Sequence, residues 1–110
     1  PMSRGIIATV YAQTVRPVTE EEVFDIFAER YAEEPFVRVL PLGDTATTKN
    51  VRLSNWCDLS IHVVNGGNTV EIVSAIDNMV KGAAGQAVQN MNLISGFPET
   101  MGIDAIPAAF

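Results

Sequence analysis

Alternating apolar and polar positions predict strands in three stretches of this sequence. Residues 6–15 are rich in β-branched and aromatic side chains, and they end at Arg16-Pro17, where proline interrupts regular pairing. Residues 59–63 and 70–76 alternate more regularly, and they flank an Asn-Gly-Gly-Asn segment at 65–68 whose residue types tolerate positive φ. We therefore predict a long first strand and, later in the chain, a β-hairpin.

The region between the long strand and the hairpin has a weaker pattern. Residues 36–40 are mostly apolar and end at Pro41, which is typical of a short strand. Residues 43–50 have the composition of a loop, and residues 51–53 predict one more brief strand.

A first helix is predicted to begin at Thr19, because Thr19 and Glu22 have the spacing of a capping box. Apolar residues then recur at helical spacing on one face: Val23, Ile26, Phe27 and Tyr31. Glu34-Pro35 ends this pattern. We expect an amphipathic helix that lies on a sheet.

A second helix is predicted to begin at Asp77 or Asn78 and to end at Gly96 and Pro98. Its predicted inner face consists of Val80, Ala84, Ala87, Val88 and Met91. Two glycines, Gly82 and Gly85, stand in its first turns, where each costs about 1 kcal/mol relative to alanine. Such a cost indicates the close approach of another backbone, a tightly packed segment or a ligand.

These elements predict an α+β fold with a mixed or antiparallel sheet and helices packed on one face. The 110 residues, 47% apolar and 18% charged, are enough for a domain with a real core. We find no internal repeat and no low-complexity segment.

Charge and hydropathy exclude several classes of function. The net charge is −6 and the basic residues are scattered, so we expect no binding to nucleic acid. No apolar run approaches the roughly 20 residues that cross a bilayer, so we expect no membrane span. The single cysteine cannot form an internal disulfide, which agrees with a cytoplasmic location.

Few residues offer reactive chemistry. One histidine and one cysteine do not supply the ligand cluster of a metal site, so we expect none. In a strand, His62 points to the face opposite Leu59, Ile61 and Val63, and we favour a surface histidine and a structural Cys57 over a catalytic dyad. Arg4 could clamp a phosphate or carboxylate, or be an ordinary solvated arginine, and Lys81 has the same ambiguity.

The second helix and its surroundings resemble one enzyme family. VSAIDNMVKGAAGQAVQNMNLISG at 73–96, followed by FPET, resembles the C-terminal signature of N-acetyl-γ-glutamyl-phosphate reductases. Three further segments follow in the order of that family: PMSRGIIATVY at 1–11, PFVRVLP at 35–41 and TKNVRLSNWCD at 48–58. The resemblance therefore covers nearly the whole chain. Aspartate-semialdehyde dehydrogenases share a similar helix start, but the continuation GQAVQNMN fits the reductases better.

The resemblance implies an NADP-dependent acyl-phosphate reductase of arginine biosynthesis, with a glyceraldehyde-3-phosphate dehydrogenase-like plan. In that family a cysteine attacks the acyl phosphate, hydride transfer from NADPH follows, and a histidine acts as acid and base. The resemblance implies that both residues lie upstream of Pro1, so no catalytic residue is expected in this chain. The implied partners are N-acetyl-γ-glutamyl phosphate, phosphate, an upstream cofactor-binding domain and a second copy of the protein.

The resemblance assigns a small set of site residues to this chain. Arg4 matches the arginine of a Pro-Met-x-Arg-Gly motif and is implied to bind substrate. Gly82, Gly85 and Gln86 match a helix start that is implied to contact the cofactor. At position 53 the family more often has glycine, so Leu53 is a departure from its pattern.

The chain is predicted to be a fragment, because it enters a strand almost at once after Pro1. We expect residues 1–78 to be a catalytic and dimerisation domain, truncated at its start, and residues 79–110 to be a helix and tail that return toward the missing cofactor domain. Two alternatives stay open: a non-catalytic dimerisation module, and an enzyme related to aspartate-semialdehyde dehydrogenase.

Overall fold

The protein is built on a four-stranded mixed sheet. The structure is a computed structural model that describes residues 2–106. Pro1 and residues 107–110, the end of the predicted tail, lie outside the described residues. The strands are β1 (Ile6–Gln13), β2 (Val37–Val39), β3 (Cys57–Val64) and β4 (Thr69–Ile76), in the spatial order β1-β4-β3-β2. The pairs β1-β4 and β3-β4 are antiparallel and β2 is parallel to β3, which confirms the predicted α+β class.

Helical segments connect and cover these strands. They are α1 (Glu20–Arg30), α2 (Thr48–Val51), a 3-10 turn (Asn65–Gly67), a π-helical turn (Val80–Ala84) and α3 (Gly85–Ser95). The predicted hairpin is confirmed, since β3 and β4 pair along their full lengths across the 3-10 turn. The turn needs positive φ at Asn65 (53°), Gly66 (63°) and Gly67 (91°), as its residue types indicate.

The predicted capping box is present at the start of α1. The Thr19 hydroxyl accepts from the Glu22 amide at 3.1 Å, and the Glu22 carboxylate accepts from the Thr19 amide at 2.9 Å. Val23 is buried and packs with Ile61 and Val70 of the sheet. Ile26, predicted to face inward, is 64% exposed, because the apolar cluster beneath α1 reaches only the side of the helix that carries Val23.

The end of α1 also differs from the prediction. The helix stops at Arg30, and Tyr31 (φ −106°, ψ 10°) leaves the helical conformation before Pro35 is reached. Turns at 31–36 follow, and they bring Phe36 into the core, where it is 4% exposed. The free energy gained by burying this aromatic ring is larger than the gain from one more turn of helix.

The two faces of the sheet carry separate apolar clusters. Val23 and its neighbours occupy one face, and Ala46, Val51, Val73 and Ala75 form the other cluster. The short helix α2 therefore packs on the face opposite α1, so the helices cover both faces of the sheet, whereas one face was predicted. The strand predicted at 51–53 is wrong: Val51 ends α2, and Leu53 has a left-handed conformation with φ 59°. Three residues of alternation are too few to separate a strand from a turn.

The second long helix begins near its predicted cap but packs with a different face. Asp77 caps the π-helical turn, and α3 ends at Gly96, which has φ 71°. The buried residues of α3 are Gly85 and Asn92. Of the predicted inner face, Val80 and Val88 are half-buried, and Ala84, Ala87 and Met91 are exposed. The Asn92 side-chain amide donates to the carbonyls of Glu99 and Met101, both at 3.0 Å, so the polar side of the helix holds the tail.

Candidate functional site

Arg4, the predicted substrate residue, is paired with Asp77. Arg4 Nε donates to Asp77 Oδ2 at 3.0 Å and Arg4 Nη2 donates to Asp77 Oδ1 at 3.1 Å. The Arg4 side chain is 30% exposed and that of Asp77 is fully buried. This is the two-point geometry that makes an arginine-carboxylate pair directional. Binding of substrate by Arg4 stays a prediction, but the guanidinium is firmly oriented.

Asp77 accepts five hydrogen bonds in all. Besides the two from Arg4, it accepts from the amides of Leu53 (2.7 Å), Met79 (2.8 Å) and Val80 (3.0 Å). Burial acts to raise the pKa of Asp77, but the bonds from Arg4 and the three amides outweigh it and lower the pKa to about 2. One carboxylate thus joins the segment before β1, the loop at Leu53 and the start of the second helix.

A second contact fastens the same two segments. The Gly5 amide donates to Asn78 Oδ1 at 2.8 Å, one residue along from each member of the Arg4-Asp77 pair. Gly5 has φ +112°, and a Cβ at that position would lie 2.4 Å from Thr48 Cγ2. Only glycine fits this turn, which is a physical reason for the Arg-Gly dipeptide.

The predicted cofactor residues lie around the π-helical turn. Gly82 approaches the sheet, since a Cβ there would lie 3.4 Å from Ile76 Cδ1 and 3.6 Å from Ile6 Cδ1. Gly85 is buried, and a Cβ there would lie 1.7 Å from Asn55 Oδ1. Gln86 is exposed, and its Nε2 donates to the Gly82 carbonyl at 3.0 Å. Both glycines therefore have close neighbours within this chain, and a cofactor contact stays a prediction.

Asn55 links three segments beside this turn. Its Nδ2 donates to the Ile103 carbonyl at 2.9 Å, and its Oδ1 lies against Gly85. Among the buried side-chain polar atoms of residues 2–106, Asn55 Oδ1 is the one with no hydrogen-bond partner. Asn55 also lines two surface depressions, one beside the helix start and one beside Trp56. Neither includes Arg4 in its lining, so these depressions and the oriented arginine are separate features.

Lys81 is engaged by its own chain. Its Nζ donates to Gln89 Oε1 and lies 4.9 Å from the centroid of the Phe36 ring, while Gln89 Nε2 donates to Glu99. Burial lowers the pKa of Lys81. The Lys81 ammonium is thus held by Gln89 and Phe36, and an anion-binding role for it stays a prediction.

Cys57 and His62 do not form a pair. Both lie on β3, five positions apart, so their side chains project to opposite faces of the sheet. Cys57 Sγ lies 3.5 Å from Ser74 Oγ, and His62 Nε2 lies 3.3 Å from Ser60 Oγ. Among residues 2–106, no three His, Cys, Asp or Glu side chains cluster closely enough to hold a metal ion.

Sequence reasoning missed the roles of Asp77 and Asn55. Asp77 was named only as a possible helix cap, although a carboxylate at the end of an apolar strand is itself a signal, because a buried charge needs a partner. No comparable signal marks Asn55. Its importance depends on the packing of Gly85, 30 positions later in the chain.

Solved structures define the class of this fold. The crystal structure of aspartate semialdehyde dehydrogenase II from Vibrio cholerae matches 84% of this chain and 28% of that chain, with a TM-score of 0.67 and 20% identity. The structure of the same enzyme described as complexed with ASA matches with a TM-score of 0.66 and 20% identity, over 84% of this chain and 27% of that one. The chain therefore has the fold of a domain found in semialdehyde dehydrogenases.

Sequence comparison identifies the family. Residues 1–78 match the model of the semialdehyde dehydrogenase dimerisation domain, and the chain belongs to that family. N-acetyl-gamma-glutamyl-phosphate reductase of Clostridium kluyveri is 50% identical over 110 residues, all of this chain and 32% of that protein. The enzyme of the same name from Geobacter metallireducens is 53% identical over 107 residues, 97% of this chain and 31% of that protein.

These relatives confirm the resemblance that the sequence motifs indicated. They also set its extent, since the chain spans about a third of the length of the curated relatives it matches. Within residues 2–106 there is no helix long and apolar enough to span a membrane.

Proposed function

We propose that this chain is the C-terminal part of an NADPH-dependent N-acetyl-γ-glutamyl-phosphate reductase that acts in the cytoplasm in arginine biosynthesis. The observation that carries the proposal is about 50% identity to reductases of that name along the whole chain. In the complete enzyme, the acyl phosphate is reduced to the semialdehyde and phosphate is released. The nucleophilic cysteine and the acid/base histidine belong to the upstream part of the protein.

The proposed role of Arg4 is to bind an anionic group of the substrate. Its guanidinium is partly exposed and is held from one side by Asp77. A fixed arginine in a partly buried position is well suited to a phosphoryl or carboxylate oxyanion, because its donors need little reorganisation when charge develops.

NADPH, when bound, supplies the hydride for the reduction. Within this chain, we propose that only the residues at the helix start lie near the cofactor. Gly82 and Gln86 present small and polar groups at the helix start, and Gln86 is exposed. Gly85 is buried beneath Asn55, which supports an indirect role for it, in bringing the helix start close to the loop at 53–55. The dinucleotide itself needs the upstream domain.

Exposed apolar surface supports contact with the rest of the protein. All eight residues of β1 are exposed, including Ile6, Ile7, Val10 and Tyr11. Met91, Leu93 and Ile94 of α3 are more than half exposed as well. Surfaces of this kind are rarely left open in a complete protein. We propose that residues 1–78 serve catalysis and self-association in a homo-oligomer, and that residues 79–110 lie toward the cofactor domain.

The test is an assay of the full-length protein. In the reverse direction, N-acetylglutamate semialdehyde, phosphate and NADP should give NADPH, followed by absorbance. A preparation that is folded and oligomeric but inactive in both directions would refute the reductase and favour a non-catalytic dimerisation module. Activity with aspartate semialdehyde in place of the acetylated substrate would instead assign the enzyme to the related dehydrogenases.

A further inference from the structure

We propose that Asp77 is a positioning residue for the substrate: it fixes the Arg4 guanidinium so that one edge of that group is presented to a phosphoryl or carboxylate oxyanion. The inference rests on the proposed function and adds to it a residue whose role depends on Arg4.

A guanidinium offers two edges for two-point binding. The side edge is formed by Nε and Nη2, and the end edge by Nη1 and the second N–H of Nη2. Asp77 occupies the side edge of Arg4, with bonds of 3.0 Å to Nε and 3.1 Å to Nη2. Within residues 2–106 no group accepts from Nη1, and the side chain keeps 30% of its surface exposed. The end edge therefore remains for an anion.

The Asp77 carboxylate is held in one orientation and can therefore fix the guanidinium of Arg4. Its carboxylate is fully buried and is held by three backbone amides in addition to Arg4. Rotation of the carboxylate would break hydrogen bonds that burial makes costly to lose. The neighbouring bond from Gly5 to Asn78 fixes the backbone beside Arg4 at the same time. The position of the guanidinium is thus determined by the end of β4, not by the flexible arginine side chain.

A second arginine in the same protein forms a similar pair but differs at its end edge. Arg38 binds the buried Asp58 through the same side edge, with bonds of 2.7 Å from Nε and 3.0 Å from Nη2. Its Nη2 also donates to the Asn50 carbonyl at 3.3 Å, and its guanidinium lies 4.8 Å from the centroid of the Trp56 ring. The Arg38 side chain is 39% exposed, and within residues 2–106 its Nη1 has no acceptor, but the second N–H of its Nη2 is used by Asn50, so its end edge is not free for two-point binding. Arg4 makes the same two-point contact with a buried carboxylate, but within residues 2–106 it has no counterpart of the Asn50 carbonyl or the Trp56 ring.

The experiment compares matched variants of the full-length enzyme in the reverse assay. Asp77→Asn should lower kcat/KM by about tenfold to a hundredfold, because misplacement of a binding group costs that much. Asp58→Asn, the matched control at an equally buried pair, should lower stability but leave kcat/KM within about twofold of wild type. Arg4→Ala combined with Asp77→Asn should be no worse than Arg4→Ala alone, since Asp77 acts through Arg4. The substrate whose KM rises, phosphate or the semialdehyde, identifies the oxyanion that is bound.

Guanidinium rescue separates positioning from a general structural effect. Millimolar guanidinium ion should restore part of the activity of Arg4→Ala, because the carboxylate of Asp77 can bind the free ion in place of the missing side chain. It should not restore the double variant. If Asp77→Asn does not fold, Arg4→Lys decides the question: an ammonium can pair with Asp77 but lacks the second edge, so this variant should lose activity while keeping most of its stability.

Each result bears on one of the two proposals. Inactive wild-type enzyme would refute the reductase itself. Active wild type with equal kcat/KM in Asp77→Asn and Asp58→Asn would refute the positioning role, as would an Arg4→Lys variant with full activity. Rescue of the double variant by guanidinium to the same degree as Arg4→Ala would also overturn it.

Discussion

Asn55 Oδ1 lies against the Cα of Gly85, so close that a Cβ at Gly85 would fall 1.7 Å from it. This contact joins the loop before β3 to the first turn of α3. The contact also explains why position 85 is glycine, although alanine would stabilise the helix by about 1 kcal/mol. Packing within this chain thus accounts for a glycine at position 85.

Gly85→Ala should lower the free energy of unfolding by about 2 kcal/mol, because overpacking outweighs the gain in helix propensity. Gly82→Ala is the control. The nearest atoms to its Cβ would lie at 3.3 Å and 3.4 Å, so its effect should be smaller. Asn55→Ala should recover part of the loss in Gly85→Ala. Urea unfolding of the four variants measures these differences, and additive losses would contradict the contact.

Leu53→Gly should raise the free energy of unfolding by about 0.5–1 kcal/mol, because Leu53 has φ 59° and a left-handed conformation is unfavourable for leucine. The backbone at residue 53 must keep this conformation so that its amide can donate to Asp77 at 2.7 Å. Leu53→Ala keeps the strain and should not stabilise the protein. A thermal melt of both variants tests the prediction, which fails if glycine and alanine have equal effects.

The stability of the protein should decrease at acid pH through Asp77. Its pKa is lowered from 3.8 to about 2, so its contribution is fully present above pH 3.8 and is lost as the pH falls toward 2. Asp77→Asn should therefore cost about 3 kcal/mol near neutral pH, as expected for a broken buried pair, and progressively less as acid is added. Urea unfolding at several pH values from 7 to 2.5 measures the gap. A gap that is constant with pH would show that the carboxylate charge is not responsible.

Thr19→Ala should lower the free energy of unfolding by about 1 kcal/mol, because it removes the acceptor for the Glu22 amide at the start of α1. Thr19→Ser keeps the hydroxyl and should lose little. Differential scanning calorimetry of both variants distinguishes loss of the cap from loss of the methyl group. An equal loss in both would assign the effect to packing.

Much of the fold could be predicted because its signals are local. The capping box of α1 and the turn of the β3-β4 hairpin depend on residues within a few positions of one another, and both are confirmed. The errors occur where packing overrides pattern. The inner face of α3 was predicted from its apolar residues, yet it packs through Gly85 and Asn92, because the tail beneath it presents carbonyls that Asn92 satisfies.

By itself, the sequence determined the α+β class, most of the elements and the family, since periodicity, caps and motifs are properties of short segments or of their order. It also singled out Arg4 as a candidate anion ligand. Only the tertiary structure decided how Arg4 is held, because its partner Asp77 lies 73 positions away and meets it through the pairing of β1 with β4. Contacts at that separation depend on strand order and register, which no local pattern specifies.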